Sequence, residues 1–201
     1  AQFAEVLAAA PGFVDARIAL ARSEQTLGRP LSAVAVCAEG LTITENSLPL
    51  RRALGLALLA ARDGERAAEA FGTALTFEPT DSETHFNHGV ALQMQHRTRH
   101  AMRAYQHALT FKPDFTAANV NLGALFHEQG ATKAAIAAYE SVLEAEPTNA
   151  AAYRYLGMVL FDAGHIEAWL ANFKRFERHW PDALSLATQA LVACQYMADF
   201  P

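Results

Sequence analysis

Cysteine is scarce in this sequence, with only Cys37 and Cys194 among 201 residues. The two lie far apart and have no Cys-x-x-Cys or Cys/His spacing around them, so neither a disulfide framework nor a zinc site is indicated. Long apolar runs are also missing. The run "GLALLAA" at Gly55 is flanked by arginines and is shorter than the roughly 18 residues that cross a bilayer. We therefore expect no membrane insertion.

Positively charged residues are fewer than negatively charged ones. The sequence has 16 Lys and Arg and 21 Asp and Glu, which give a formal net charge of -5. Nucleic acid and anionic membranes require a broad electropositive surface, so we expect no nucleic-acid partner. The hydrophobic fraction of 52% is enough to bury a continuous core. No positively charged segment precedes the first apolar stretch, which does not favour a signal peptide. We expect a cytoplasmic location, with the periplasm as an open alternative.

Catalytic signatures are missing as well, because the sequence has no nucleophile elbow, H-E-x-x-H, P-loop or G-x-G-x-x-G. Five of the eight histidines fall in one short stretch: His85, His88, His96, His100 and His107. His96 and His100 are four residues apart, a spacing that chelates zinc or nickel only weakly without further ligands. We interpret the pair as solvated surface. We predict no catalytic residue, no metal site and no cofactor for these residues.

Proline and glycine, by contrast, recur at one fixed step. A step of 34 residues separates Pro79, Pro113, Pro147 and Pro181, and the same step separates Gly55, Gly89, Gly123 and Gly157. At ordinary usage, each set of three further matches arises by chance about once in ten thousand. A period of this size is typical of stacked supersecondary units, each of which buries its apolar face against its neighbours.

The residues between the prolines predict helices. In "AAIAAYESVL" at Ala134, apolar residues recur at three- and four-residue spacing without alternation, so both halves of each unit are predicted helical and the fold all-α. Small residues such as Gly123 and Ala135 let two helices approach, and an aromatic such as Tyr139 fills the gap beside them. Proline then ends the second helix, because it lacks an N–H and restricts the residue before it.

These residues resemble the tetratricopeptide repeat family, whose 34-residue helix-turn-helix unit carries a hydrophobic-Gly pair, an Ala, an aromatic and a closing Pro. The stretch Asn119 to Pro147 shows the signature most fully, with Leu122, Gly123, Phe126, Gly130, Ala135, Tyr139, Val142 and Pro147 at its places. The resemblance implies a right-handed superhelical solenoid of antiparallel helix pairs, with five units at 14–47, 48–81, 82–115, 116–149 and 150–183. Residues 1–13 are expected to be the second half of a truncated unit.

In this family the first helix of each unit, helix A, lines a concave groove that holds an extended or helical peptide. The resemblance therefore implies a protein–protein interaction module. Its groove residues, carried over place by place, are Arg22, Gln25, Arg52, Leu56, Leu59, Phe86, Asn87, Val90, Gln93, Met94, Val120, Asn121, Ala124, His127, Glu128, Arg154, Tyr155, Met158, Phe161 and Asp162. Asn87 and Asn121 stand at equivalent places, where their amides could bond a peptide backbone. The partner protein itself is not readable from the sequence.

The last unit departs from the pattern, since Trp169 stands where the other units have Ala, and Phe176 is bulky. We expect the stack to change geometry near residue 170. Self-association through this end is one hypothesis. Residues 184–201 are interpreted as a capping or connector helix, with Asp182 as its N-cap. The segment "LVACQYMADF" at Leu191 loosely resembles the linker after the repeats in bacterial relatives of O-GlcNAc transferase, so the alternative is a substrate-recruiting region of a larger transferase, such as a glycosyltransferase.

Overall fold

The structure is a computed structural model that describes residue 7 and residues 9–181. The expectations for residues 1–6 and 182–201, including the Asp182 cap and the capping or connector helix, lie outside these residues. Within the described part there are ten helices and no strand, which confirms the all-α prediction. In chain order they are α1 (Val14–Thr26), α2 (Pro30–Ile43), α3 (Leu48–Ala60), α4 (Gly64–Phe77), α5 (Ser82–Met94), α6 (Thr98–Phe111), α7 (Thr116–Glu128), α8 (Thr132–Ala145), α9 (Ala150–Asp162) and α10 (Ile166–His179).

The helices alternate in two series that follow the repeat. The odd-numbered helices are the A helices and start at positions 14, 48, 82, 116 and 150, while the even-numbered B helices start at 30, 64, 98, 132 and 166. Three residues join the two helices of a pair, and four join one pair to the next. Connections this short between packed helices require antiparallel neighbours.

Each A–B turn contains one residue in the left-handed backbone region. Glycine takes this place in three turns, at Gly28, Gly130 and Gly164, but Arg62 (φ 63°) and His96 (φ 57°) take it in the other two. In every turn two backbone N–H groups then donate back to the end of the A helix, as when the His96 N–H donates to Gln93 and the next N–H to Leu92. These hydrogen bonds satisfy carbonyl groups at the helix end that have no partner within the helix. The same turn geometry therefore forms even where a non-glycine residue must adopt the left-handed conformation.

Short polar side chains begin several helices. Ser47, Asp63 and Asn149 each accept a hydrogen bond from the backbone N–H three residues later, and Asp81 accepts from Glu83. Such caps satisfy amides that have no partner inside the helix. The B helices α4, α6, α8 and α10 end two residues before a proline, as the restriction of the residue preceding proline predicts.

The chain divides into two compact units, residues 1–118 and 119–201. In the first unit, α1 to α6 pack in sequence, and the A helices also contact each other, α1 with α3 and α3 with α5. Its largest fully buried side chains include Phe71, Tyr105, Leu50 and Leu58. Packing of each helix against its nearest neighbours is the arrangement that a repeat fold requires.

In the second unit, α9 packs against α8 and against α10. Its core joins Tyr139 and Val142 of α8 with Tyr153, Leu156 and Val159 of α9. Arg175 on α10 donates to both carboxylate oxygens of Glu140, at 2.8 and 2.9 Å. The polar link lies at the edge of this core.

The close helix–helix contacts have the predicted small-against-large form. A Cβ added at Gly55 would lie 2.6 Å from the Phe71 ring, at Gly89 2.6 Å from the Tyr105 ring, and at Gly123 2.9 Å from the Tyr139 ring. Real Cβ atoms do not approach that closely, so each of these aromatic rings occupies space that only glycine leaves open. The aromatic thereby fixes the distance between its A and B helices.

Candidate functional site

Three neighbouring A helices of the first unit enclose a cleft of about 300 Å³, which we call the slot. Its floor includes the Phe71 ring, the same ring that packs on Gly55. The walls come from α1, α3 and α5: Ile18, Ala21, Arg22, Gln25, Pro49, Arg52, Ala53, Leu56, Glu83, Thr84 and Asn87. The slot thus brings together Arg22, Gln25, Arg52, Leu56 and Asn87 of the predicted groove set.

The most prominent cation of the slot is already neutralised. Arg52 contacts Asp81 at 2.5 Å and Glu78 at 3.5 Å. Burial alone would raise the pKa of the Asp81 carboxyl, but hydrogen bonds from Thr84, Arg52 and the Glu83 backbone outweigh it and lower that pKa below its usual range. Arg52 therefore braces α3 against the start of α5, and these two carboxylates balance its charge.

Other polar groups of the slot have unused hydrogen-bonding capacity. Among the described residues, none forms a hydrogen bond or ion pair with the side chain of Arg22, Gln25 or Asn87. Arg22 is exposed, and Gln25 and Asn87 are half-buried. Leu56 beside them is 41% exposed. The slot therefore offers one guanidinium, two amides and one apolar surface, with the Glu83 carboxylate on its α5 wall.

Four other predicted groove residues of the first unit are half-buried. Phe86 lies against the rings of Tyr105 and Phe115, with centroids 5.7 and 5.0 Å away. Met94 packs against the start of α4, because a Cβ added at Gly64 would lie 2.9 Å from the Cβ of Met94. Leu59 and Val90 are half-buried. None of these four lines the slot.

In the second unit the predicted residues fall into contacts of several kinds. The His127 Nε2 lies 3.1 Å from the Asp162 Oδ2. The Arg154 guanidinium lies over the Tyr155 ring, with its Cζ 4.9 Å from the ring centroid. Phe161 is 60% exposed. Val120 packs against the core of the unit. Asn121 is half-buried and is engaged in an interaction within the protein.

A second cavity, which we call the terminal pocket, lies between α9 and α10. Its volume is about 810 Å³ and its lining is mostly apolar. It contains Ala150, Ala151, Tyr153, Arg154, Gly157, Met158, Phe161, Asp162, Trp169, Asn172, Phe173 and Phe176. The sequence singled out Trp169 and Phe176 as departures from the repeat, but it did not predict an open pocket beside them.

The described side chains give no sign of a metal site or of a reactive thiol. Within the described range, no group of three or more His, Cys, Asp or Glu is arranged to hold a metal ion. Burial raises the pKa of the Cys37 thiol to about 11, so this thiol stays protonated. The helices at positions 14–179 also include none with the length and apolarity to cross a membrane.

The structure has the tetratricopeptide repeat fold, and the recognition of the repeat in the sequence is confirmed. Residues 126–168 match the family model described as Tetratricopeptide repeat. Solved structures with this fold include MamA, with a TM-score of 0.75 at 21% identity over 82% of this chain and 96% of that chain. YrrB gives a TM-score of 0.71 at 17% identity over 94% of this chain and 98% of its own.

The pilF protein of Pseudomonas aeruginosa gives a TM-score of 0.71 at 19% identity, over 83% of this chain and 76% of that chain. At these identities the likeness establishes the fold. A sequence search among curated proteins gives no match.

Proposed function

We propose that this chain is a protein–protein interaction module whose slot binds an extended peptide segment of a partner protein. The observation that carries the proposal is the meeting of Arg22, Gln25 and Asn87 around an exposed Leu56, with no hydrogen bond from these three side chains to another described residue. Unpaired polar groups that converge on a partly apolar cleft are typical of binding sites. The volume of about 300 Å³ accommodates a few side chains and favours a single extended strand over a helix.

The slot chemistry defines the peptide. Carboxamides carry both a donor and an acceptor, so Gln25 and Asn87 can bond to peptide backbone groups whatever the sequence. Leu56 favours an apolar side chain of the ligand. Arg22, with no carboxylate partner of its own among the described residues, favours an acidic side chain, because guanidinium–carboxylate hydrogen bonds are the strong ones.

One of the similar structures supports this proposal. YrrB is described as a tetratricopeptide protein with an unusual peptide-binding site, which supports the proposal of peptide binding by this chain. The MamA, YrrB and pilF structures add no support to the alternative of a substrate-recruiting region in a larger transferase.

A peptide-library selection on the full chain, followed by affinity measurements with selected peptides, tests the proposal. Arg22→Ala should weaken binding by about tenfold or more, because a hydrogen bond to a charged group contributes about 1.5–3 kcal/mol. Asn87→Ala should weaken it by about two- to tenfold, because a neutral hydrogen bond contributes about 0.5–1.5 kcal/mol. Arg103→Ala is the matched control, since Arg103 is exposed on α6 and does not line the slot. Peptides whose affinity responds to Arg103→Ala and ignores both slot variants would disprove the proposed site.

A further inference from the structure

We infer that Glu83 is a second specificity determinant of the slot, and that the partner segment carries a basic side chain over α5 as well as an acidic side chain over α1. The inference rests on the proposed function, because it concerns the ligand of the same cleft. It depends on how the charged side chains around the slot are paired, and on the neutral surface that separates them.

The Glu83 side chain is open to a ligand. Glu83 lines the slot from the first turn of α5 and is exposed. Its backbone N–H donates to the Asp81 carboxylate at 3.2 Å. Within the described part of the chain, however, the Glu83 carboxylate itself forms no hydrogen bond and no ion pair. This acceptor on the α5 wall therefore matches a cationic donor from outside the protein.

Further acidic groups surround the α5 end of the slot. Asp81 lies directly before α5 and contacts Arg52, which also contacts Glu78 at 3.5 Å. Three carboxylates, those of Glu78, Asp81 and Glu83, therefore lie around the single guanidinium of Arg52. The two that contact Arg52 use its charge, so Glu83 adds to a negative potential. A cleft wall of this sign attracts a positively charged group of a ligand.

The α1 end of the slot carries the opposite charge. Arg22 is exposed, and its guanidinium forms no ion pair with any carboxylate of the described residues. Glu24, the acidic residue nearest to it in the sequence, pairs with Arg29 at 3.9 Å. The slot is therefore bipolar, with an unpaired cation on its α1 wall and an unpaired anion on its α5 wall.

Neutral side chains separate these two charges. Because α3 contacts both α1 and α5, Ala53 and Leu56 of α3 form the middle of the lining. Complementary charge on a ligand steers its approach and fixes its register. A matching segment therefore presents an acidic, an apolar and a basic side chain in this order from α1 to α5. A segment with acidic side chains at both ends would bring like charge against Glu83.

The helix spacing limits how far apart the two ligand charges lie. The axes of packed helices are about 8–10 Å apart, so α1 and α5, on either side of α3, are at most about 16–20 Å apart. The long side chains of Arg22 and Glu83 shorten the distance that the ligand must span. An extended chain advances about 3.3 Å per residue, so we expect the acidic and basic residues about four to six positions apart.

Charge substitutions on both sides of the contact test the inference on the full chain. Peptides selected from a random library are resynthesised with their basic residue replaced by Gln. This replacement should weaken binding to the unchanged chain by about two- to fivefold, the range for exposed ion pairs, and should not affect binding to Glu83→Gln. Glu65→Gln is the matched control, because Glu65 is also an exposed first-turn residue, on α4, and does not line the slot. Both variants lose one charge at a helix N-terminus.

Charge reversal provides the second measurement. Glu83→Lys should weaken the selected peptides more than Glu83→Gln does, and should favour peptides resynthesised with Glu at the basic position. Raising the salt concentration should reduce both effects, because ions screen exposed charges. Peptides that respond to Arg22→Ala and Asn87→Ala, but lack a basic residue or bind Glu83→Gln and Glu65→Gln equally well, would overturn the inference and leave the peptide slot in place. Peptides that ignore all the slot variants would overturn both.

Discussion

The Gly55→Ala substitution tests whether one missing methyl group sets the spacing of a helix pair. A Cβ at this position would lie 2.6 Å from two atoms of the Phe71 ring and 2.9 Å from a third. Phe71 is 1% exposed, so packed neighbours enclose most of the ring. The chain also provides a matched control. Gly72 lies in α4 of the same unit, and a Cβ there would meet only the His88 Nε2, at 4.0 Å.

The expected magnitudes follow from two opposing effects. Replacing glycine by alanine inside a helix stabilises the fold by up to about 1 kcal/mol, at both positions. Overpacking a closed core costs about 1–3 kcal/mol, and only Gly55 meets that condition. Gly72→Ala should therefore stabilise the first unit. Gly55→Ala should leave it about 1–3 kcal/mol less stable than Gly72→Ala does.

Thermal and urea unfolding of the two variants, beside the unchanged chain, measure the difference. At this chain length 1 kcal/mol corresponds to about 2–4 °C in Tm. Because both positions lie in residues 1–118, the same unfolding transition reports on both. If Gly55→Ala raised stability as much as Gly72→Ala, the close Gly–aromatic contact would not control the helix spacing.

Two further predictions concern the left-handed turn positions and a buried histidine. His96→Gly should stabilise the chain by about 1 kcal/mol, because His96 holds a left-handed turn position that costs a non-glycine residue about that much. Gly130→Ala at the equivalent turn should destabilise it, and equal urea midpoints for the two variants would contradict the reasoning. Burial of His88, assisted by the charges of His85 and Arg97, lowers the pKa of His88 below its usual range. The unfolded chain therefore binds this proton more readily, so the His88 contribution to stability is complete above about pH 6.5 and declines as the pH falls. Urea midpoints at neutral and mildly acidic pH should show the decline, and His88→Gln should reduce it.

The sequence was sufficient for the fold because the signals that determine it are local and repeated. Gly55, Gly89 and Gly123 sit against the aromatics that their spacing predicted, and the helices end where the prolines require. Each contact joins residues within one or two repeats, so a fixed step determines it. The non-glycine turn positions Arg62 and His96 were not apparent, because the turn backbone follows the repeat even where the residue type disfavours it.

The candidate site was less accessible from sequence, since its chemistry depends on which side chains pair. Arg52 and Arg22 were both assigned to the groove by register. Only the structure shows that Arg52 is held by Asp81 and that Arg22 has no such partner among the described residues. The resemblance also places Phe86 in the groove; its ring packs against Tyr105, and its role in the groove stays a prediction. A place in a repeat specifies the side of a helix and leaves the partner of its side chain undetermined.

The two cavities follow from one packing rule with two outcomes. In the first unit Phe71 covers Gly55, so its ring forms a closed floor and leaves a small slot with a mixed polar wall. In the second unit Trp169 occupies the alanine place, and Phe173 stacks on Trp169, away from Gly157. The same repeat position therefore produces an apolar pocket nearly three times larger. The slot presents polar side chains around one exposed leucine, whereas the lining of the terminal pocket is mostly apolar. Because the two cavities share no lining residue, a substitution in one should leave the packing of the other unchanged.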